Sequence, residues 1–341
     1  MSKSLYHTLT VAQVIEETHD AKSIIFETPA IPGFDYKPGQ FLTLRIPAEA
    51  TPVARCYSLA SAPGVDQGLK VTVKRVDGGV GSNWVCDQVQ AGDTLEVLAP
   101  AGVFCPASLD VDFILFAGGS GITPVMSILK ACLNQGRGRV FLFYANRDER
   151  SVIFSQELRV LSQQFADRLS VMHWLESVQG LPTQAQLASV AKAHRDSYAF
   201  VCGPGPFMDA VESCLAGIGM APERIHVERF VSLSTDPGLL TEVPSGEGEK
   251  GCELAITLDG QTHAMNWPLQ ANLLDVLLSE GLDAPFSCRE GRCSACMCKI
   301  QDGEVSMEVN AILTEQDLAE GWVLACQARP VSEKISVSFD G

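Results

Sequence analysis

Four cysteines crowd into eleven residues near the C-terminus: Cys288, Cys293, Cys296 and Cys298. No other feature narrows so sharply what this chain can fold into, because thiols at that density must converge on something. The spacing Cys288-x4-Cys293-x2-Cys296, with Cys326 returning in Leu324-Ala325-Cys326-Gln327, is that of a plant-type [2Fe–2S] ligand set. Three thiolates come from one wrapping loop and the fourth from a distant segment. Small residues (Gly291, Ser294, Ala295) let the loop backbone approach the inorganic sulfides and donate N–H groups to sulfur. Zinc sites favour paired C-x2-C units, and one such pair is too little for that reading. Cys298 breaks the spacing among strand-like neighbours and is read as a non-ligand. Arg289 and Arg292 place positive charge beside a net-negative cluster, or are simply solvated.

The chain has 341 residues, enough for two or three domains, and 46% hydrophobic residues, enough to give each a core. Its net charge of −16 argues against a nucleic acid or an anionic membrane as partner. Residues 251–341 carry 5 basic and 14 acidic side chains, so the tail is disproportionately acidic. A solvated surface and a docking face for a basic partner both fit that excess. Twelve cysteines without a signal-like N-terminus favour metal ligation or reduced thiols over disulfides. The expectation is a cytoplasmic monomer with no membrane span.

Residues 1–105 read as β-rich. Ser23–Thr28, Phe41–Ile46, Lys70–Val76 and Thr94–Leu98 are short apolar or alternating runs between turn signals, as in a small antiparallel barrel. From residue 106 the pattern changes. Continuous apolar runs (Asp112–Ala117, Arg139–Tyr144, Leu169–Trp174, Ala199–Val201) alternate with helical stretches, which predicts a doubly wound parallel sheet over 106–231. Residues 232–251, rich in Ser, Pro, Gly and charge, read as a linker. Residues 252–341 form the cysteine-bearing domain, opening with a hairpin around Asp259-Gly260 and a helix from about Asn272 to Glu280.

Two further constellations carry chemistry. Arg55-Cys56-Tyr57-Ser58 and the stretch Lys74 to Ser82, leading into a helix over Asn83–Asp87, offer what a flavin dinucleotide needs. Arg55 and Lys74 supply positive charge, Tyr57 a stacking platform, and Ser58 a hydroxyl for the N5 edge. Gly81 and Ser82 supply a helix start for the diphosphate. Alone, the four-residue motif equally suits an ordinary strand.

The second constellation is a pair of glycine turns, each after an apolar strand. Gly118, Gly119, Gly121, Thr123 and Pro124 open one helix; Cys202, Gly203, Pro204 and Met208 lie in the other turn. Such turns at the carboxyl edge of a parallel sheet share one dinucleotide crevice. Asn146 and Arg147 follow the second strand, where the adenosine ribose lies. There Arg147 and Arg150 would attract a 2′-phosphate and Asp148 and Glu149 would repel it, a balance that favours NADH.

Taken together, Arg55-x-Tyr57-Ser58, Gly118–Pro124, Cys202-Gly203-Pro204 and the terminal cysteine loop resemble the ferredoxin–NAD(P) reductase superfamily over the whole chain. Residues 54–61, 144–154, 173–182, 282–298, 307–310 and 324–330 bring the resemblance closer to the reductase components of 3-ketosteroid 9α-hydroxylase, a two-component Rieske monooxygenase. That resemblance implies an FAD-binding barrel, an NAD-binding α/β domain and a β-grasp ferredoxin domain, with FAD, a [2Fe–2S] cluster and NADH. It implies flavin contacts for Arg55, Tyr57 and Ser58, FAD phosphate contacts for Gly81 and Ser82, and a nicotinamide near Thr123 and Cys202. Phe230 would cover the flavin until nicotinamide displaces it.

Hydride brings two electrons and the cluster takes one, so a flavin is the step-down element. A Rieske centre needs two His and two Cys, and no Cys-x-His pair is present. The acceptor is therefore expected to be another protein, a terminal oxygenase. Alternatives are a diiron epoxidase of the phenylacetyl-CoA type, another Rieske dioxygenase, a hybrid-cluster protein, or a redox sensor in which the cluster only signals.

Overall fold

The computed structural model describes residues 5–29, 33–48, 52–230, 233, 237, 243 and 251–340. The expected linker, 232–251, lies almost wholly outside them. The chain divides into two compact units. One comprises residues 7–100 and 104–232; the other comprises residues 233–341 with the short segments 1–6 and 101–103.

The first unit begins with six antiparallel strands: β1 (His7–Thr18), β2 (Ala21–Phe26), β3 (Phe41–Ile46), β4 (Val53–Ser58), β5 (Leu69–Lys74) and β6 (Thr94–Val97). Helix α1 (Val80–Gln88) lies between the last two. They run in the order β4-β3-β6-β1-β2-β5. Leu59, just past β4, bridges Val71 of β5, which brings the two edges of the sheet together as a barrel requires. Ile24, Phe26, Leu42, Leu44, Ile46 and Val73 fill the interior. The long strand β1 escaped sequence reading for a physical reason. His7–Thr10 pairs with β6 and Val11–Thr18 with β2, with register breaks at Val11/Gln13 and Glu16/Thr18. Each break interrupts the two-residue alternation that would have marked a strand.

The same unit continues as β7 (Phe113–Gly118), α2 (Ile122–Gln135), β8 (Val140–Asn146), α3 (Ser155–Gln164), β9 (Leu169–Leu175), α4 (Glu176–Gln179), α5 (Gln184–Ala191), β10 (Tyr198–Cys202), α6 (Gly205–Gly217) and β11 (Ile225–Glu228). These five strands are all parallel, in the order β11-β10-β7-β8-β9. Both faces are covered. Phe113, Leu115 and Ala117 of β7 pack with Val125, Leu129 and Leu158, while Ile114 and Phe116 pack with Leu187, Val211 and Leu215. That two-sided burial is why β7 reads as an unbroken apolar run. Each such Val, Leu, Ile or Phe side chain contributes about 1.5–3 kcal/mol on burial.

The second unit holds β12 (Gly251–Leu258), β13 (Gln261–Pro268), α7 (Leu273–Ser279), β14 (Met297–Asp302), β15 (Val305–Met307), α8 (Glu315–Ala319), β16 (Trp322–Leu324), β17 (Ala328–Pro330) and β18 (Lys334–Ser338). A mixed sheet runs β13-β12-β18-β14-β16, with β12 and β18 parallel, and β15 pairs with β17. The expected hairpin is present. Asp259 and Gly260 have φ of 51° and 72°, as a type I′ turn demands, and Asp340 accepts hydrogen bonds from both their N–H groups. Leu273, Leu274 and Leu277 of α7 press onto Trp267, Cys298, Leu324 and Val337. The fold is thus the expected barrel, parallel α/β sheet and α+β cysteine domain.

Candidate functional site

In the second unit, the loop between α7 and β14 carries three of the four candidate ligands. Cys288, Cys296 and Cys326 are buried and Cys293 half-buried. The thiols meet as two pairs, Cys288 with Cys293 and Cys296 with Cys326. The hydrogen bond within the first pair pulls Cys288 down to about 6 and pushes Cys293 up; the second pulls Cys326 down and pushes Cys296 up. Among the described residues, no three His, Cys, Asp or Glu side chains converge on one point. Two neighbouring thiol pairs suit the two irons of a bridged cluster.

The loop achieves this with left-handed residues. Arg289, Gly291 and Ser294 have φ of 57°, 71° and 49°. A Cβ on Gly291 would come within 2.6 Å of the Val309 carbonyl oxygen. The turns aim backbone N–H groups inward: those of Glu290 and Arg292 donate to Cys288 Sγ, each at 3.4 Å, and that of Cys288 donates to Cys293 Sγ at 3.4 Å. The amides of Ala295 and Gly291, flagged from sequence as small, act on Cys293 and Cys326. Arg289 departs from expectation. Its half-buried guanidinium forms an ion pair with the half-buried Asp275 while still acting on Cys326, and Arg292 is exposed. Sequence reading missed Gln327, whose buried side-chain amide donates to Cys326 Sγ (3.6 Å) and to the Arg289 carbonyl (3.1 Å). Its adjacency to Cys326 was the available signal. Cys298 lies on β14 within the apolar core, where burial pushes its thiol far up.

In the first unit, Arg55-x-Tyr57-Ser58 lies on β4 itself. The helix α1 starts one residue before Gly81, and its first turn packs on that motif. A Cβ on Gly81 would sit 2.9 Å from Arg55 Cγ and 3.5 Å from the Tyr57 hydroxyl, so only glycine allows the approach. The fold therefore brings Arg55, Tyr57 and Gly81 together beside a helix start, a cradle suited to a dinucleotide phosphate. Burial raises the Tyr57 phenol far above its ordinary value, with Arg55 opposing it. Ser58 is buried. The Ser82 hydroxyl already accepts the Val76 N–H at 3.1 Å and holds the preceding turn.

The two glycine turns meet at the switch point between β7 and β10. A Cβ on Gly118 would lie 2.8 Å from Pro204 Cδ, and one on Gly121 would lie 2.2 Å from the Cys202 carbonyl oxygen. Beside them opens a cleft of about 1100 Å³, lined in part by Gly118, Gly119, Asn146, Arg147, Gly203, Pro204, Met208 and the half-exposed Phe230. Neither atom of the buried Asn146 amide makes a hydrogen bond of normal geometry among the described residues, although the amide lies close enough to act on the Tyr144 hydroxyl, which leaves it available to a ligand. Lys74 lines this same cleft, with its Nζ 4.0 Å from where a Gly119 Cβ would be.

Several of the predicted positions lie away from the cleft surface. Thr123 and Pro124 are buried in α2 and do not line the cleft; the Thr123 hydroxyl donates to the Ser120 carbonyl at 3.0 Å. Cys202 is buried beneath the cleft, and burial pushes its thiol up. The Asp148 carboxylate accepts from the Ser151 N–H and hydroxyl at 3.0 and 2.9 Å, and neither it nor Glu149 is among the residues lining the cleft. The acidic residues that line it are Asp20 and Glu176. Glu228, at the end of β11, was also missed. It is the register partner of Cys202, and burial pushes its carboxyl up to about 7.

Comparison with known proteins matches each of the three regions. Residues 8–105 match an oxidoreductase FAD-binding domain, 115–213 an oxidoreductase NAD-binding domain, and 256–331 a 2Fe-2S iron-sulfur cluster binding domain. The chain is 52% identical to the ferredoxin reductase component of 3-ketosteroid-9-alpha-monooxygenase from Rhodococcus rhodochrous, covering 97% of this chain and 96% of that one. Its counterpart from Mycolicibacterium smegmatis is 53% identical at the same coverage. A 1,2-phenylacetyl-CoA epoxidase subunit from Escherichia coli is 33% identical over 98% of both chains. Phthalate dioxygenase reductase shares the fold, with a TM-score of 0.58 over 98% of both chains at 22% identity. No helix among the described residues is long and apolar enough to cross a membrane. The chain belongs to the family of ferredoxin reductase components of multicomponent monooxygenases, oxidoreductases that bind FAD, NAD and a 2Fe-2S cluster.

Proposed function

We propose that this protein draws hydride from NADH and delivers electrons one at a time to the Rieske oxygenase component of a 3-ketosteroid 9α-monooxygenase. The observation that carries this reading is the 51–53% identity to reductase components of that system, extending over 97% of this chain, against 33% to the epoxidase subunit. When bound, FAD supplies the conversion from two-electron to one-electron transfer.

The chain's own residues then have these roles. Arg55 and the start of α1 at Gly81 and Ser82 hold the FAD diphosphate. Tyr57 packs against the flavin ring and Ser58 faces its N5 edge. Asn146, Gly118, Gly119, Gly203, Pro204 and Met208 form the walls for the nicotinamide dinucleotide. Phe230 screens the flavin face from water until the nicotinamide takes its place, and Cys202 underlies the point of transfer. Cys288, Cys293, Cys296 and Cys326 ligate the cluster. The net charge of −9 on residues 251–341 favours docking with a basic oxygenase surface.

The test uses the purified chain, NADH and a purified steroid-specific Rieske oxygenase, with 9α-hydroxylation of a 3-ketosteroid as readout. Turnover supports the reading. Cytochrome c reduction by NADH without turnover by any such oxygenase, combined with turnover of a diiron epoxidase, would transfer the chain to that partner. Failure to reduce cytochrome c would leave only a sensor role.

A further inference from the structure

Among the described residues, the dinucleotide cleft holds four basic side chains, and each already has an acidic partner. Arg75 pairs with Asp87 at 2.5 Å, and Arg229 with Asp209 and Glu212 at 2.7 and 2.5 Å. Lys74 and Arg147 share a single carboxylate, Asp20, at 3.7 and 2.9 Å. Asp20 comes from the β1–β2 turn of the barrel, whereas Arg147 follows β8 of the parallel sheet, so the contact joins the two halves of this unit.

The position of Arg147 makes that contact matter. In a doubly wound fold the adenosine ribose lies past the second strand of the sheet, and a basic residue there receives the 2′-phosphate of NADPH. Arg147 occupies that place. The Ser177 N–H donates to its carbonyl at 2.8 Å, which ties the ends of β8 and β9 together and sets Glu176 in the same wall. The Arg147 side chain is 63% exposed, so packing does not fix its guanidinium; the Asp20 carboxylate does. Asp20 itself is only 15% exposed and is anchored by the Thr18 hydroxyl at 2.7 Å. Burial alone would raise its carboxyl, but Thr18, Lys74, His19 and Arg147 together hold it below the ordinary range, so it stays charged.

We propose that Asp20 is a specificity-determining residue, which excludes NADPH by occupying Arg147 and Lys74 and setting a negative charge at the ribose corner. The proposal rests on reading this cleft as the NADH site and names the residue behind that choice. A 2′-phosphate brings between one and two negative charges. It would meet Asp20 and Glu176 with no uncommitted cation among the described residues lining the cleft. A ribose hydroxyl meets no such penalty.

The experiment is calorimetric titration of the full-length, FAD- and cluster-loaded protein with 5′-AMP and 2′,5′-ADP. It is run on wild type, Asp20→Asn, Arg147→Gln and the double variant. Asparagine keeps the contact with Thr18 but removes the charge. The expected result is that Asp20→Asn binds 2′,5′-ADP about tenfold tighter, the scale of one charge-assisted hydrogen bond at a partly exposed site, with 5′-AMP affinity within about twofold. The gain vanishes in the double variant. Arg147→Gln alone, which leaves Asp20 in place, changes 2′,5′-ADP affinity less than about twofold because the guanidinium is already committed. An unchanged preference in Asp20→Asn, or a large loss from Arg147→Gln in the wild-type background, overturns the proposal. If wild type binds neither nucleotide, the reading of the cleft itself fails, and that outcome is distinct from both.

Discussion

Cys202 and Glu228 are register partners at the carboxyl ends of β10 and β11; burial pushes both groups up, and the Glu228 carboxylate adds to the rise at Cys202. Burial lifts the Glu228 carboxyl from 4.5 to about 7. Below about pH 4.5 the group is protonated in both folded and unfolded chains and has no effect. As pH rises from there to 7, the unfolded chain releases the proton first, so folding loses up to about 3 kcal/mol. Glu228→Gln should therefore raise the melting temperature at pH 8 and do little at pH 5. A gain of equal size at both values would show that the carboxyl is not perturbed.

Of Cys298 and Cys326, only the second is proposed to ligate the cluster. Cys298→Ala should keep the visible and EPR signatures of the cluster and cost about 1 kcal/mol as a small core cavity. Cys326→Ser should strip most of the iron. Spectra and iron analysis of the two purified variants decide it; loss of the cluster in Cys298→Ala would reassign the ligand set.

The Gln327 amide, placed on Cys326 Sγ, favours the more negative, reduced cluster. Replacing it by Leu removes a hydrogen bond of roughly 1 kcal/mol. For one electron that lowers the midpoint potential by about 40 mV. Redox titration followed by EPR measures this, and a potential that stays put would limit Gln327 to holding the Arg289 carbonyl.

Asp275→Ala should destabilise the cysteine domain by about 1–3 kcal/mol, since it removes the carboxylate that pairs with the half-buried Arg289 guanidinium. The double change Asp275→Ala with Arg289→Met should recover most of that loss. Denaturant unfolding followed by cluster absorbance reads both; a single variant as stable as wild type would mean water reaches the pair.

Local chemistry alone determined much of this protein. Cysteine spacing pointed to the cluster, the unbroken apolar run at β7 to a sheet buried on both faces, and Asp259-Gly260 to the type I′ turn. These are legible because each depends on residues within a few positions of one another. Strand β1 was hidden because its two halves pair with different neighbours across a register break. Gln327 lacked a visible partner until the loop's left-handed turns brought the Arg289 carbonyl to it. Asp148 and Arg147 stand side by side in sequence, yet Asp148 spends its carboxylate on Ser151, and the acid that meets Arg147 comes from 127 positions away. Pairings over such distances depend on which surfaces packing brings together, so the charge pattern of the cleft was decided only when the barrel and the parallel sheet packed into one unit.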